Sequence, residues 1–164
     1  MPYSETSFLI DHLNVTDTIN RLWSSVDRHD WATVAERVFA KEVVADYTLL
    51  IPGSPVEKLS CQVQTDLFKA RVESFDSVQH CSTTVLIDLP QPSETYDRPS
   101  EVKATVTGVN ALVKDNKTSL SGAWYELTLV REEAEGKNPW RISYMKPHGM
   151  WATGSNDVVP ADFK

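Results

Sequence analysis

The stretch Leu120-Ser121-Gly122-Ala123-Trp124-Tyr125-Glu126-Leu127-Thr128-Leu129-Val130-Arg131 is typical of one long β-strand whose two faces differ in chemistry. Successive side chains of a strand point to opposite faces. One face carries Trp124, Glu126 and Thr128, and the other carries Tyr125, Leu127 and Leu129. If both faces are covered, a carboxylate lies in a mostly apolar environment, where it must be paired, protonated or functional. We therefore interpret the face with Glu126 as the wall of a pocket.

The composition is that of an ordinary globular domain. The chain has 164 residues, of which 41% are hydrophobic and 24% are charged, so we expect a single domain over residues 1–164 with a sizeable core. The net charge of -7 and the lack of a basic stripe argue against nucleic acid as a partner, because phosphate binding needs a basic surface. No apolar run is long enough to span a bilayer, so no membrane partner is expected.

The two cysteines and the first residues favour the cytoplasm. Cys61 and Cys81 form neither a disulfide framework nor a metal-binding spacing. Residues 1–5 lack the basic and apolar regions of a secretory signal, so we predict a cytoplasmic protein with reduced thiols. No cluster of His, Cys, Asp and Glu has the spacing of a metal site, and no glycine-rich phosphate loop is present, so no metal or cofactor is predicted.

The period of the apolar residues changes along the chain from helical to strand-like. We predict a lead-in arm or short helix over 1–13, a helix beginning at a cap on Asn14 or Thr16, a second helix capped by Asp30, a strand over 43–50 and a third helix over 59–75. Four strands then follow over 77–89, 101–114, 119–132 and 140–147. This order predicts an α+β fold, in which about three N-terminal helices and a cone-shaped, curved antiparallel sheet enclose a pocket.

Four short segments resemble a known family. They are Ser25-Val26-Asp27-Arg28-His29-Asp30-Trp31, Ala45-Asp46-Tyr47, Val78-Gln79-His80, and Trp140-Arg141-Ile142-Ser143-Tyr144-Met145-Lys146-Pro147 followed by Trp151. Together with the order of elements, they resemble scytalone dehydratase and, more widely, the SnoaL-like branch of the nuclear-transport-factor-2-like superfamily. The resemblance covers roughly residues 15–151. It implies acid/base chemistry without metal or organic cofactor on a carbonyl-bearing polycyclic small molecule.

The resemblance also identifies candidate catalytic residues. Asp27, Tyr47 and His80 match functional positions of the family. Other positions depart from the family. Asn110 lies near the position of the family's second catalytic histidine, and Trp124 and Glu126 stand where the family has a serine and an asparagine. We therefore expect a related reaction, such as an isomerisation, a cyclisation, a rearrangement or a different loss of water. The resemblance further implies a biosynthetic pathway of a filamentous fungus.

Each candidate residue has a chemical role and a structural alternative. Histidine exchanges protons near neutral pH, so His80 is a candidate general acid/base, oriented by Asp27. The alternatives are a satisfied core histidine and a solvated acid at a helix end. Tyr47 and Asn110 are candidates for polarising a substrate oxygen, and Tyr47 could equally be a core aromatic residue. Glu126, if buried, could shuttle a second proton or stabilise a cation, and if exposed it could form an ion pair.

Four further residues are candidates for contact with the substrate. These are Arg37, Trp124, Met145 and His148. Arginine is more often a surface residue, and methionine more often fills a core. A second hypothesis is a non-catalytic binding or assembly module of the same fold, for which we expect a sealed or narrow cone lined by apolar groups. Relatives commonly associate through the open sheet face, so a homo-oligomer, dimer or trimer, is expected by analogy.

Overall fold

The computed structural model describes residues 2–159. In chain order the elements are β1 (Pro2–Tyr3), α1 (Glu5–Asp27), α2 (Trp31–Thr33, continued by a π-helical turn over Val34–Val38), β2 (Phe39–Asp46), β3 (Val56–Ser60), α3 (Cys61–Val72), β4 (Ser77–Ile87), β5 (Ser93–Asp97), β6 (Glu101–Lys114), β7 (Lys117–Arg131) and β8 (Trp140–Gly154). No helix within these residues is both long and apolar enough to cross a membrane. The predicted domain, 1–164, extends beyond the described residues at both ends.

Six strands form one curled sheet in the order β3-β2-β8-β7-β6-β4. Neighbouring strands are antiparallel except for β2 and β8, which are parallel. The short strands β1 and β5 pair separately. The predicted α+β class and its helix-covered, mostly antiparallel sheet are confirmed, with one parallel pair that the pattern did not indicate.

The hairpin between β6 and β7 sets the register of the sheet. Lys114 pairs with Lys117, which leaves a two-residue loop. Both loop residues have positive φ, 51° at Asp115 and 59° at Asn116, as a type I′ turn requires. Asp and Asn tolerate this conformation better than other residues with side chains. The turn thus lies in the gap between the strands predicted over 101–114 and 119–132.

The first helix begins earlier than the sequence pattern indicated. Ser4 caps α1, because its side chain accepts a hydrogen bond from the backbone amide of Ser7. The predicted caps at Asn14 and Thr16 are wrong: both residues lie inside the helix, and Thr16 bonds the carbonyl of His12 one turn earlier. Asp30 caps α2 as predicted, by accepting from the amide of Thr33.

The strands around α3 also differ from the predicted ones. Strand β2 begins at Phe39, four residues before the predicted start, and β3 was not predicted. Leu59, assigned to the third helix by its apolar spacing, lies in β3 and pairs with Val43. Short apolar runs fit both periods, so neighbouring strands decide between them.

Helix α1 covers the concave side of the sheet. Its buried residues recur every three or four positions, at Val15, Ile19, Leu22 and Val26. They share one core with Leu127 and other inward residues of β7. Burial of these apolar side chains is the main stabilising term of the domain.

Asp11 attaches the first half of α1 to the sheet. Its carboxylate is fully buried and accepts hydrogen bonds from Arg98, Arg131 and the indole N–H of Trp140, at 2.7 to 2.9 Å. Burial alone raises the pKa of Asp11, but the hydrogen bonds and charges of its partners outweigh burial and lower it.

Candidate active site

A cavity of about 570 Å³ opens between the helices and the concave face of the sheet. Most of its wall is apolar, with side chains such as Leu67, Phe68 and Phe75 from α3 and the turn after it. The polar groups that line it include His80, Asn110, Tyr125, Tyr47 and Gln64. An apolar cavity with a few convergent polar groups is the usual form of a small-molecule site.

Asp27 and His80 form a tightly bonded pair at this wall. Asp27 is the last residue of α1, and His80 lies on β4. Oδ1 of the aspartate is 2.6 Å from Nδ1 of the imidazole, and Oδ2 accepts the backbone N–H of His80 at 2.8 Å. An ionised carboxylate only accepts, so Nδ1 carries the proton, and Nε2 of the neutral ring keeps its lone pair. Among residues 2–159, nothing bonds Nε2.

Trp23 holds the His80 ring from the other side. The two rings are stacked, with centroids 4.8 Å apart and an angle of 18° between the planes. Trp23 lies one helical turn before Asp27, so both residues reach β4 from the same face of α1. The imidazole is therefore fixed in position and in tautomer.

Tyr125 and Asn110 lie next to this pair. Asn110 faces His80 across the β4–β6 pairing, and its Nδ2 donates to the hydroxyl oxygen of Tyr125 at 3.2 Å. Tyr125 packs against Trp23 with centroids 4.9 Å apart. Burial raises the pKa of Tyr125, and the bond from Asn110 offsets only part of that increase. The phenol therefore stays protonated and can donate to a bound oxygen.

Tyr47 lies on the opposite side of the cavity, directly after β2. Its hydroxyl is 3.8 Å from the sulfur of Met145, which also lines the cavity. Burial raises the pKa of Tyr47 to about 12, against smaller opposing effects of Arg71 and of a hydrogen bond with Gln64. The site thus has two polar ends separated by apolar wall.

The position of Trp151 at the cavity depends on one glycine. Gly122 lies beneath the indole of Trp151, so close that a Cβ on this residue would collide with the ring. Trp151 lines the cavity and remains partly exposed. A side chain at position 122 would displace it.

The relation to known proteins agrees with this architecture. Residues 7–146 match the model of a family described as the SnoaL-like domain. The chain belongs to this family. The resemblance to the SnoaL-like branch is therefore confirmed over most of the chain.

Solved structures with low sequence identity share the fold of this SnoaL-like protein. The hexachlorocyclohexane dehydrochlorinase LinA-type3 of Novosphingobium barchaimii is 15% identical, with a TM-score of 0.72 over 96% of this chain and 99% of that one. Kfla4162 of Kribbella flavida is 15% identical, with a TM-score of 0.70 over 87% and 93% of the two chains. A protein of Novosphingobium aromaticivorans, with a proposed scytalone dehydratase activity, is 12% identical, with a TM-score of 0.69 over 90% and 89%. No curated protein sequence matches the chain.

Three predicted pocket residues of the SnoaL-like protein lie on the outer face of the sheet. Nε2 of His148 is 2.6 Å from Oε1 of Glu126, and Trp124 stacks on His148 with centroids 3.6 Å apart. The Glu126 side chain is 46% exposed. The predicted inward orientation is wrong, because α1 covers the alternate residues of β7, where Leu127 is only 2% exposed.

Arg37 also differs from its predicted place. Arg37, on the π-helical turn, is half-buried outside the cavity, and its charge acts on Asp17 and Arg141. Gly108 makes no room for a ligand. A Cβ there would lie 2.8 Å from the carbonyl oxygen of Cys81, so the missing side chain lets β4 approach at its bulge.

The structure brings His80, Tyr47, Asn110 and Met145 to the cavity and bonds Asp27 to His80, and their predicted roles remain predictions. Sequence reasoning missed Tyr125, Trp23 and Gln64. For Tyr125 the signal existed: Leu127 and Leu129 share its face, and the more apolar face of a strand normally points inward. Within residues 2–159, no group of three or more His, Cys, Asp or Glu side chains could hold a metal ion.

Proposed function

We propose that this SnoaL-like protein is a cofactor-independent acid/base enzyme, a lyase or an isomerase, that acts on a neutral polycyclic natural-product intermediate. The observation that carries the proposal is the Asp27–His80 pair, with its 2.6 Å contact at the wall of a cavity of about 570 Å³. A fixed imidazole with a free Nε2 beside an apolar cavity is suited to removing a proton from a bound carbon acid or alcohol.

The neighbouring groups suit the second half of such a reaction. As His80 takes the proton, the imidazolium is stabilised by the carboxylate of Asp27, as in hydrolase triads. The Tyr125 hydroxyl, supported by Asn110, donates to the substrate oxygen on which negative charge develops. The proton on Nε2 can then return to the leaving group or to another carbon. The first outcome is an elimination, and the second is an isomerisation.

The relatives support the lyase side of this proposal. Dehydrochlorination and dehydration, the activities named for two structures of the same fold, both begin with transfer of a proton to a base. The resemblance to scytalone dehydratases further supports fungal secondary metabolism and a dimer or trimer as the setting. The cysteine usage supports a cytoplasmic location. Cyclisation and rearrangement use the same proton transfer and remain part of the proposal.

A non-catalytic module of the same fold is less well supported. For a non-catalytic module we expect a narrow cone that is filled by side chains such as Trp124 or lined only by apolar groups. Trp124 lies outside the cavity, and several polar side chains line it, among them His80, Asn110 and Tyr125. These observations favour an enzyme.

The test compares two histidines that each contact a carboxylate at 2.6 Å. His80→Gln and His148→Gln are assayed with the purified protein on a panel of polyketide-type and alkaloid-type intermediates, with product formation followed by mass spectrometry. We expect kcat to fall by roughly 10² to 10⁴ in His80→Gln, and to stay close to wild type in His148→Gln. Wild-type turnover by His80→Gln would refute the proposed function.

A further inference from the structure

The end of the cavity next to α3 contains a buried carboxamide that the proposed reaction does not use. Gln64 is 1% exposed and lines the cavity, and its Oε1 has no hydrogen-bond partner among the described residues. Buried side-chain oxygens are nearly always bonded, because a missing partner leaves the cost of desolvation uncompensated. A buried carboxamide oxygen without a partner at a cavity wall is therefore a candidate for binding a ligand group.

The geometry of Gln64 and Tyr47 allows such binding. The terminal torsion of a glutamine is broad, so the carboxamide can turn either its oxygen or its amino group toward the cavity. The hydroxyl of Tyr47 is bonded to Gln64 and otherwise has a long contact of 3.8 Å to the thioether of Met145, a weak acceptor, so its proton can be donated to a ligand. Both groups are neutral at physiological pH, since burial raises the pKa of Tyr47 to about 12.

This end of the cavity and the catalytic pair lie on different strands of the sheet. Tyr47 follows β2 and His80 lies on β4, and these strands are four strand spacings apart in the sheet. Because the sheet is curled, the straight path across the cavity is shorter than these spacings along its surface, and Tyr47 lies near enough to Tyr125 for the second phenol to act on its pKa. A rigid molecule of two or three rings bound at His80 would extend along the apolar wall toward Tyr47 and Gln64.

We propose that Gln64, together with Tyr47, forms a second polar subsite that binds a neutral hydroxyl, carbonyl or N–H group at the far end of a rigid polycyclic substrate. The inference rests on the proposed function, because it takes the His80 end as the reacting end. It gives the substrate class more closely: a flat, largely apolar ring system with two uncharged polar groups at opposite ends. Gln64 discriminates between substrates, and it takes no part in proton transfer.

The test measures binding alone, with two rigid aromatic probes. The probes are para-hydroxybiphenyl, with one hydroxyl group, and para,para′-dihydroxybiphenyl, with one at each end. Dissociation constants are measured by titration calorimetry for the wild type, for Gln64→Met, which keeps the length of the side chain, and for Gln64→Leu. Gln62→Leu is the matched control, since Gln62 is exposed on the same helix and does not line the cavity.

In the wild type we expect the second hydroxyl to strengthen binding about five- to tenfold, the effect of one good hydrogen bond. The ratio of the two dissociation constants should fall to about one in both Gln64 variants and stay unchanged in Gln62→Leu. The ratio is internal to each variant, so a partial loss of folded protein does not alter it. An unchanged ratio in Gln64→Met, or no binding of either probe to the wild type, would overturn the inference.

The two proposals fail in different experiments. If His80→Gln turns over substrate normally while the Gln64 variants lose discrimination, the acid/base function is wrong and the subsite stands. If His80→Gln is inactive and the Gln64 variants keep the wild-type ratio, the function stands and the subsite is wrong.

Discussion

At the residue scale, two histidines of this SnoaL-like protein contact a carboxylate at the same distance, yet only His80 lines the cavity. His148 is nearly as buried, and a tryptophan stacks on it as Trp23 stacks on His80. The two histidine–carboxylate pairs differ in the face of the sheet on which they lie. The chemical value of a histidine–carboxylate pair depends on whether Nε2 can reach a substrate, and only the concave face has space for one.

The role of Tyr125 can be tested by removing its hydroxyl group. Tyr125→Phe should lower kcat by about 10- to 100-fold, because one donor to the developing oxyanion is lost while the ring still packs against Trp23. KM should change much less. The measurement is steady-state kinetics on the substrate found in the panel assay.

Tyr144→Phe is the matched control for this change. Tyr144 donates to Asp46 on the outer face, outside the cavity. Its substitution should leave kcat within about twofold of wild type. Equal kinetic losses in the two variants would contradict a catalytic role for Tyr125.

At the element scale, α1 is bonded to the sheet both at its last residue and in its first half. Its last residue, Asp27, bonds His80 on β4, and Asp11 in its first half bonds Arg98, Arg131 and Trp140. The helix therefore crosses the concave face and is bonded near both ends. This arrangement positions Asp27, which makes one of these contacts, and Trp23, which lies between them on the helix.

Removing the charge of Asp11 should destabilise the whole domain. Asp11→Asn leaves two arginines without their buried counter-ion, a change that typically costs about 3 kcal/mol in the free energy of unfolding. The measurement is urea denaturation followed by tryptophan fluorescence. We expect a lower midpoint with an unchanged slope.

Asp17→Asn is the control on the same helix. Asp17 pairs with Arg21 one turn along the helix, and its side chain is 44% exposed. An exposed pair of this kind contributes about 0.5 kcal/mol. If the two variants lose equal stability, the buried cluster at Asp11 has no special role.

At the scale of the whole molecule, the outer face has its own polar cluster. Asp46 accepts hydrogen bonds from Thr48 and Tyr144 and pairs with Lys146 at 3.0 Å. The hydrogen bond from Thr48 and the pairing with Lys146 outweigh burial and lower the pKa of Asp46 to about 2. Because the folded pKa is below the unfolded value of 3.8, this carboxylate stabilises the fold above pH 3.8 and loses that effect as the pH falls toward 2.

The stability of the domain should therefore decrease on acidification through this window. Asp46→Asn should be less stable than wild type at pH 5 and should lose less further stability between pH 4 and pH 2, because one titrating group is gone. Unfolding by urea at several pH values measures both effects. Thr48→Val, which removes the hydroxyl donor, should change the acid dependence in the same direction. If the pH dependence of Asp46→Asn equals that of the wild type, the assignment is wrong.

Much of the fold was predictable because it depends on local patterns. Strand β6 was predicted at its observed bounds, and the turn at Asp115 and Asn116 follows from residues that tolerate positive φ. The start of α1 and strand β3 were missed because their boundaries depend on Ser4 as a cap and on pairing with β2. Neither the cap nor the strand pairing can be recognised from the spacing of the apolar residues.

The sequence by itself determined the α+β class, the family and the candidates Asp27 and His80. These depend on the order of elements and on short motifs, which are local properties of the chain. Only the tertiary structure decided that Tyr125, and not Glu126, faces the cavity. The physical reason is that alternation along a strand defines two faces, whereas the packing of α1 determines which face is covered and which one meets solvent. The packing of α3 likewise brought Gln64 to the cavity wall, a position that no motif indicates.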